Sequence, residues 1–143
     1  MIEKAWEADG HSCAVAFWRE SFHRCGYVSV GKDSPLRGVG YFDERLRGIS
    51  VHGGITYAGD GGFMGAPGMW TFGFDCNHFS DMPDIEHGVE LFGDDDHVDE
   101  LRRLFCRPAS DGFGFVPHVW TLEEVADETA ELSRQLAELE GRL

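Results

Sequence analysis

The stretch Cys13-Ala-Val-Ala-Phe-Trp-Arg-Glu-Ser-Phe-His-Arg-Cys-Gly-Tyr-Val-Ser-Val30 decides the fold. Cys13 to Trp18 is an apolar run of strand length. Cys25 to Val30 alternates well enough for a second strand, and the polar Arg19–Arg24 segment is short enough to turn between them. Two strands joined in this way form an antiparallel hairpin. Beyond it, Gly31-Lys-Asp-Ser-Pro-Leu-Arg-Gly38 is rich in breakers and reads as a loop. Ile49 to Tyr57 reads as a third strand, interrupted at Gly53-Gly54, where glycine marks a bulge or a close backbone approach. Five glycines between Gly59 and Gly68 predict a mobile loop. Met69-Trp-Thr-Phe-Gly-Phe74 is a fourth strand with aromatic residues at alternate positions.

The second half is read as helical. Asp94-Asp-Asp96 can cap a short helix over residues 96–105, with Val98, Leu101, Leu104 and Phe105 on its apolar side. Met82 to Gly93 reads as irregular, and Asp111 to Trp120 as a turn followed by a short extended segment. Thr121-Leu-Glu-Glu124 is a capping box. Leu122, Val125, Thr129, Leu132, Leu136 and Leu139 follow at helical spacing up to Gly141. The expected class is α+β: an antiparallel sheet of four or five strands, the C-terminal helix on one face, and a short second helix. The whole of 1–143 is expected to be a single domain. Within it, 13–83 is the motif-bearing sheet core, 84–118 an acidic insert and 121–141 the C-terminal helix. The same helix offers a short seam for a homodimer.

Charge narrows the partners. Twelve basic against 26 acidic residues give a net charge of −14. Phosphate backbones and anionic membranes need Lys and Arg, so neither direct nucleic-acid binding nor a membrane surface is expected. The opening Met1-Ile2-Glu3-Lys4 lacks the basic lead and apolar run of a secretion signal. Cys13, Cys25, Cys76 and Cys106 include no CxxC pair and are read as reduced thiols in a cytoplasmic protein. Cys13 and Cys25 can face each other across the hairpin, but core packing suits both better.

Two dense segments carry the chemistry: Val51-His-Gly-Gly-Ile-Thr-Tyr57 and Gly73-Phe-Asp-Cys-Asn-His-Phe-Ser-Asp81. Asp75, His78 and Asp81 recur every third residue, which on a tight turn brings them towards one side. His52 can join them from the neighbouring segment. A set of His52, Asp75, His78 and Asp81 suits zinc, manganese or iron(II) and can activate water. A second reading makes Cys76 a nucleophile beside His52, Asp75 and His78, with the amides of Gly53 and Gly54 as an oxyanion hole. A third is recognition of a small nucleotide-like ligand by Gly53, Gly54, Thr56 and the Trp70 ring, under the glycine-rich loop. His11, His23, His87, His97 and His118 share no metal spacing and are expected mostly at the surface or at caps.

Four motifs in order support a family resemblance: Cys25-Gly-Tyr-Val-x-Val, Pro35-Leu-x-Gly38, Val51-His-Gly-Gly-Ile-Thr-Tyr57 and Trp70-x-x-Gly-Phe-Asp-Cys-x-His-x-x-Asp81. They resemble a family of small uncharacterised proteins encoded by bacteriophages, prophages and their hosts. The resemblance covers about residues 13–83 and the helix led by Trp120. It implies a mobile-element origin and a host-cytoplasm setting, without an established activity. Ser34 stands where relatives often carry a histidine, which removes one ligand from the set. Two functions therefore compete. One is metal-assisted hydrolysis, or binding of a small ligand, at the polar segments. The other is a non-enzymatic acidic inhibitor of the anti-defence or anti-CRISPR type. It would cover a basic, nucleic-acid-binding surface of a host protein with Asp84, Glu86, Glu90, Asp94, Asp95, Asp96, Asp99 and Glu100.

Overall fold

The computed structural model describes residues 1–105 and 117–143. Five antiparallel strands form one sheet: β1 (Ile2–Ala8), β2 (His11–Trp18), β3 (His23–Val30), β4 (Tyr57–Gly61) and β5 (Ala66–Asp75), in the order β1-β2-β3-β5-β4. Three helices follow: α1 (Ile85–Phe92), α2 (Asp96–Leu104) and α3 (Leu122–Arg142). The α+β architecture is as the sequence predicts. Strand alternation gives the sheet two different faces. Val28 and Val30 of β3, and Phe72 and Phe74 of β5, join Val125, Leu132, Leu136 and Leu139 of α3 in the main core. A second cluster builds Phe17 and Phe22 against Val98 and Leu101 of α2.

The hairpin forms as expected, with Ala16 opposite Cys25 and Cys13 opposite Val28. The two cysteines therefore never face each other. The sheet also gains β1, which pairs along β2.

Two expectations in the middle of the chain are corrected. Residues 49–56 form a loop with a turn at His52-Gly53 rather than a third strand, and only Tyr57 enters the sheet, as the first residue of β4. This loop runs along α3. Gln135 bonds both the amide and the carbonyl of Ser50, at 2.7 Å each, and Glu128 accepts the His52 amide at 2.7 Å. Its backbone hydrogen bonds thus go partly to helix side chains, which no strand pattern anticipates. The glycine-rich stretch 59–68 is not a lid but the hairpin of β4 and β5. The Asp60 carboxylate ties it by accepting the amides of Gly62 and Gly68, both at 2.8 Å.

Helix α1 replaces the irregular segment expected at 82–93. Asp84 caps it, accepting the His87 amide at 3.2 Å. Gly88 conceals the helix in the sequence, yet packing requires it: a Cβ there would lie 2.2 Å from the Phe22 ring. Helix α2 lies where expected, and Asp95 caps it through the amides of His97 and Val98. The capping box of α3 is complete, and the helix continues through Gly141 to Arg142. Its apolar stripe is buried in the core beneath it. Cys106 and the first part of the predicted 111–120 turn lie outside the described residues. The end of that segment is extended, with a single bridge from His118 to Asp81.

Candidate metal centre

The site is built where β5 runs out. Asp75 accepts the Asn77 amide at 3.1 Å and starts a turn away from the sheet. The turn closes on itself: the Asp81 amide donates to the His78 carbonyl at 2.9 Å, and the His78 amide donates to Asp81 Oδ2 at 2.9 Å. His52 arrives from the loop pinned to α3, and Trp120 from the residues just before that helix.

Asp81 is the hub, with 1% of its surface exposed. Its Oδ2 stands 2.8 Å from His52 Nε2 and 3.0 Å from His78 Nδ1, and its Oδ1 accepts the Trp120 indole N–H at 2.9 Å. One ligand atom from each of His52, His78 and Asp81 lies within 4.8 Å of the others. Burial pushes the Asp81 carboxyl upward. The His52 ring, the His78 amide and the His78 ring outweigh it and hold the group below its ordinary 3.8. The carboxylate is therefore ionised, the form a cation needs.

Support surrounds each imidazole. His52 lies on Trp120, with centroids 4.2 Å apart and planes at 34°. His78 meets His52 edge to face at 5.1 Å. Its free edge turns to Asp75, with Nε2 3.5 Å from Oδ1. Gly53 lies directly against His78, and a Cβ there would fall 2.0 Å from Cε1. The Gly53-Gly54 pair therefore has a definite use. Both residues have positive φ, +69° and +81°, and the first leaves room for the imidazole.

Of the predicted site residues, His52, His78 and Asp81 converge, with Asp75 beside them and Thr56 one hydrogen bond further out. The Thr56 hydroxyl donates to Asp75 Oδ2 at 3.1 Å. The others lie elsewhere or are already engaged. Cys76 is 1% exposed and sits in the main core, where burial, reinforced by the charges of Asp81, Cys25 and Asp75, raises its thiol far above the normal range. A thiol held neutral is not a nucleophile. The Gly54 amide donates to the Val51 carbonyl at 2.8 Å, so it is not an oxyanion donor. Trp70 packs on the core and donates to the Val39 carbonyl at 3.0 Å. It lies five residues up β5 from Asp75, about 16 Å along a strand.

Other expectations also change. His11 and His23 are buried rather than superficial, at 2% and 4% exposure. His11 bonds Ser133 at 2.8 Å and the carboxylate of Glu140. The acidic insert uses several of its carboxylates internally: Asp84 caps α1 and pairs with Arg24, Asp95 caps α2, and Asp94 pairs with Arg102. Trp120, Glu128 and His118 are site neighbours that the sequence reading did not single out. The signal for Trp120 was its place immediately before the capping box, at the end of the helix that the loop follows.

No protein-family model, curated protein or solved structure matches this chain.

Proposed function

We propose that this protein holds one divalent cation on His52 Nε2, His78 Nδ1 and Asp81 Oδ2 and uses it for hydrolysis. The observation that carries the reading is the meeting of two imidazoles and an ionised carboxylate within 4.8 Å. Two nitrogens and one oxygen suit zinc or manganese and leave coordination positions open for water and substrate. A cation there would polarise a bound carbonyl or phosphoryl oxygen and lower the pKa of water. The chain's own residues do the rest. Trp120 turns Asp81 by holding Oδ1, leaving Oδ2 for the ion. Asp75 Oδ1 stands 3.5 Å from the outer nitrogen of His78, where a carboxylate can orient a ligating imidazole. As a one-third exposed carboxylate at the rim, Asp75 can also take the proton from attacking water. The free, reduced Cys13, Cys25 and Cys76 fit a cytoplasmic setting.

The acidic-inhibitor reading draws on fewer free groups than the sequence promised, since Asp84, Asp94 and Asp95 serve the fold. Of the groups that the nucleotide-like-ligand reading draws on, the Gly54 amide is bonded to the Val51 carbonyl and the Trp70 indole to the Val39 carbonyl.

Calorimetric titration of chelator-treated protein with Zn²⁺ and Mn²⁺ tests the centre. One equivalent should bind, and His52→Ala or His78→Ala should each weaken it by about 100-fold or more. Asp75→Asn should cost about 10–100-fold, as supporting carboxylates do. Loaded protein should hydrolyse p-nitrophenyl phosphate or acetate faster than chelated protein. A titration without heat, or one that ignores the histidine substitutions, removes the proposal.

A further inference from the structure

On the sheet face away from α3, beside the histidines, lies a depression of about 210 Å³ lined by Cys25, Tyr27, Thr56, Tyr57, Gly73 and Asp75. That volume is below the range of drug-sized sites and suits a single-ring ligand. Gly73 is required there, since a Cβ would meet the Tyr27 ring at 2.6 Å. The rings of Tyr27 and Tyr57 stand edge to face at 6.2 Å, and Phe63 packs on both at 4.9 and 5.4 Å. The aromatic walls are therefore set before any ligand arrives.

Most of the donors around this depression are already spent. The Thr56 hydroxyl donates to Asp75 Oδ2, its amide to the Gly73 carbonyl, and the Tyr57 hydroxyl to the Asp60 carbonyl at 2.7 Å. Tyr27 Oη accepts the Trp18 indole N–H at 3.2 Å. What these groups have left to offer is lone pairs, the Tyr27 hydroxyl proton, the Asp75 charge, the partly exposed Tyr57 ring and the rim of the buried Tyr27 ring. An anion meets the Asp75 carboxylate, which repels it, with little more than the Tyr27 hydroxyl proton to offset that. A planar cation finds a counter-charge and ring faces, the combination that favours cation–π contact. The net charge of −14 draws cations towards the molecule as a whole.

We infer that this depression is a binding site for an organic cation, a single-ring amidinium or ammonium, with its charge on Asp75 and its ring or methylene surface against Tyr27 and Tyr57. The site shares Asp75 with the proposed metal centre but does not require the ion. Bound in this way, a ligand lies next to His78, so the inference also supplies a substrate class for the proposed hydrolysis and rests on that reading to this extent alone.

The test is an amide-resolved NMR titration of the chelator-treated full chain with benzamidine, and with benzoate as the anion of like shape. Benzamidine should shift the amides of Cys25, Tyr27, Thr56, Tyr57 and Gly73 along one saturable curve, and benzoate should not. Asp75→Asn should weaken binding at least tenfold. Tyr57→Leu, which removes a ring face and no charge, should weaken it about threefold or more while leaving the Zn²⁺ titration unchanged. Absent shifts, equal shifts with benzoate, or unaltered affinity in either variant overturn the inference. Benzamidine binding with no metal binding would leave this site standing and remove only the metal centre, and the reverse result would do the opposite.

Discussion

At the scale of single residues, the site depends on how one buried carboxylate is satisfied. Removing a carboxylate from water is costly unless several donors meet it. Asp81 is met by two imidazoles, an amide and an indole. The spacing of Asp75, His78 and Asp81 pointed to this turn, and His52 was read as their neighbour. In the sequence Gly53 reads as a bulge or a close backbone approach and as a backbone donor to a ligand. Its actual role is spatial, which gives a sharp comparison. Gly53→Ala places a Cβ on the His78 ring in a backbone of φ +69°, whereas Gly54→Ala at φ +81° meets nothing within 4 Å. Both pay the left-handed backbone penalty of about 1 kcal/mol. Gly53→Ala should lose about 1–2 kcal/mol more in urea denaturation, and should bind zinc more weakly than Gly54→Ala. Equal losses in the two variants would show that His78 is not seated against Gly53.

At the scale of elements, legibility followed periodicity. Helix α3 declared itself by its capping box and its stripe, and the structure shows both, with the Glu124 amide donating to Thr121 Oγ1 at 3.2 Å and the Glu124 carboxylate accepting the Thr121 amide at 3.2 Å. Thr121→Ala should therefore cost about 1 kcal/mol in thermal or chemical unfolding, and a change under a few tenths would argue that the box is idle. Beyond the unforeseen β1, the elements misread were those where glycine has a tertiary purpose. Gly88 lets α1 close on Phe22, and Gly61 lies so near β5 that a Cβ would meet Thr71 Oγ1 at 2.4 Å. Propensity counts such glycines as breakers because it does not see the neighbour that excludes a side chain. The loop 49–56 failed in the opposite sense: apolar Ile49, Val51 and Ile55 looked like a strand, yet they pack against the main core from a loop.

At the scale of the whole molecule, one buried cation ties distant parts together. Arg24, 5% exposed, donates to Glu3 of β1 at 2.8 Å, to the α1 cap Asp84 at 2.8 Å, and to the Trp120 carbonyl at 2.9 Å. It holds the edge strand, the first helix and the entry to α3 in register, and through Trp120 it steadies the residue that bonds Asp81. Arg24→Met would take the guanidinium from Glu3 and Asp84, to which His87 would still be bonded, and should cost about 3–5 kcal/mol. Guanidinium unfolding measures that loss, and a cost under 1 kcal/mol would show the network to be dispensable. No helix among the described residues is long and apolar enough to cross a membrane. The sequence by itself determined the class, the hairpin, the capped C-terminal helix and the two segments that carry His52, His78 and Asp81, because local periodicity and spacing encode these. Only the tertiary structure decided that the stretch before Tyr57 leaves the sheet, that Cys76 turns into the core, and that Trp120 completes the site. Those outcomes depend on which distant groups satisfy a buried donor, acceptor or surface, and no local window of sequence contains both partners.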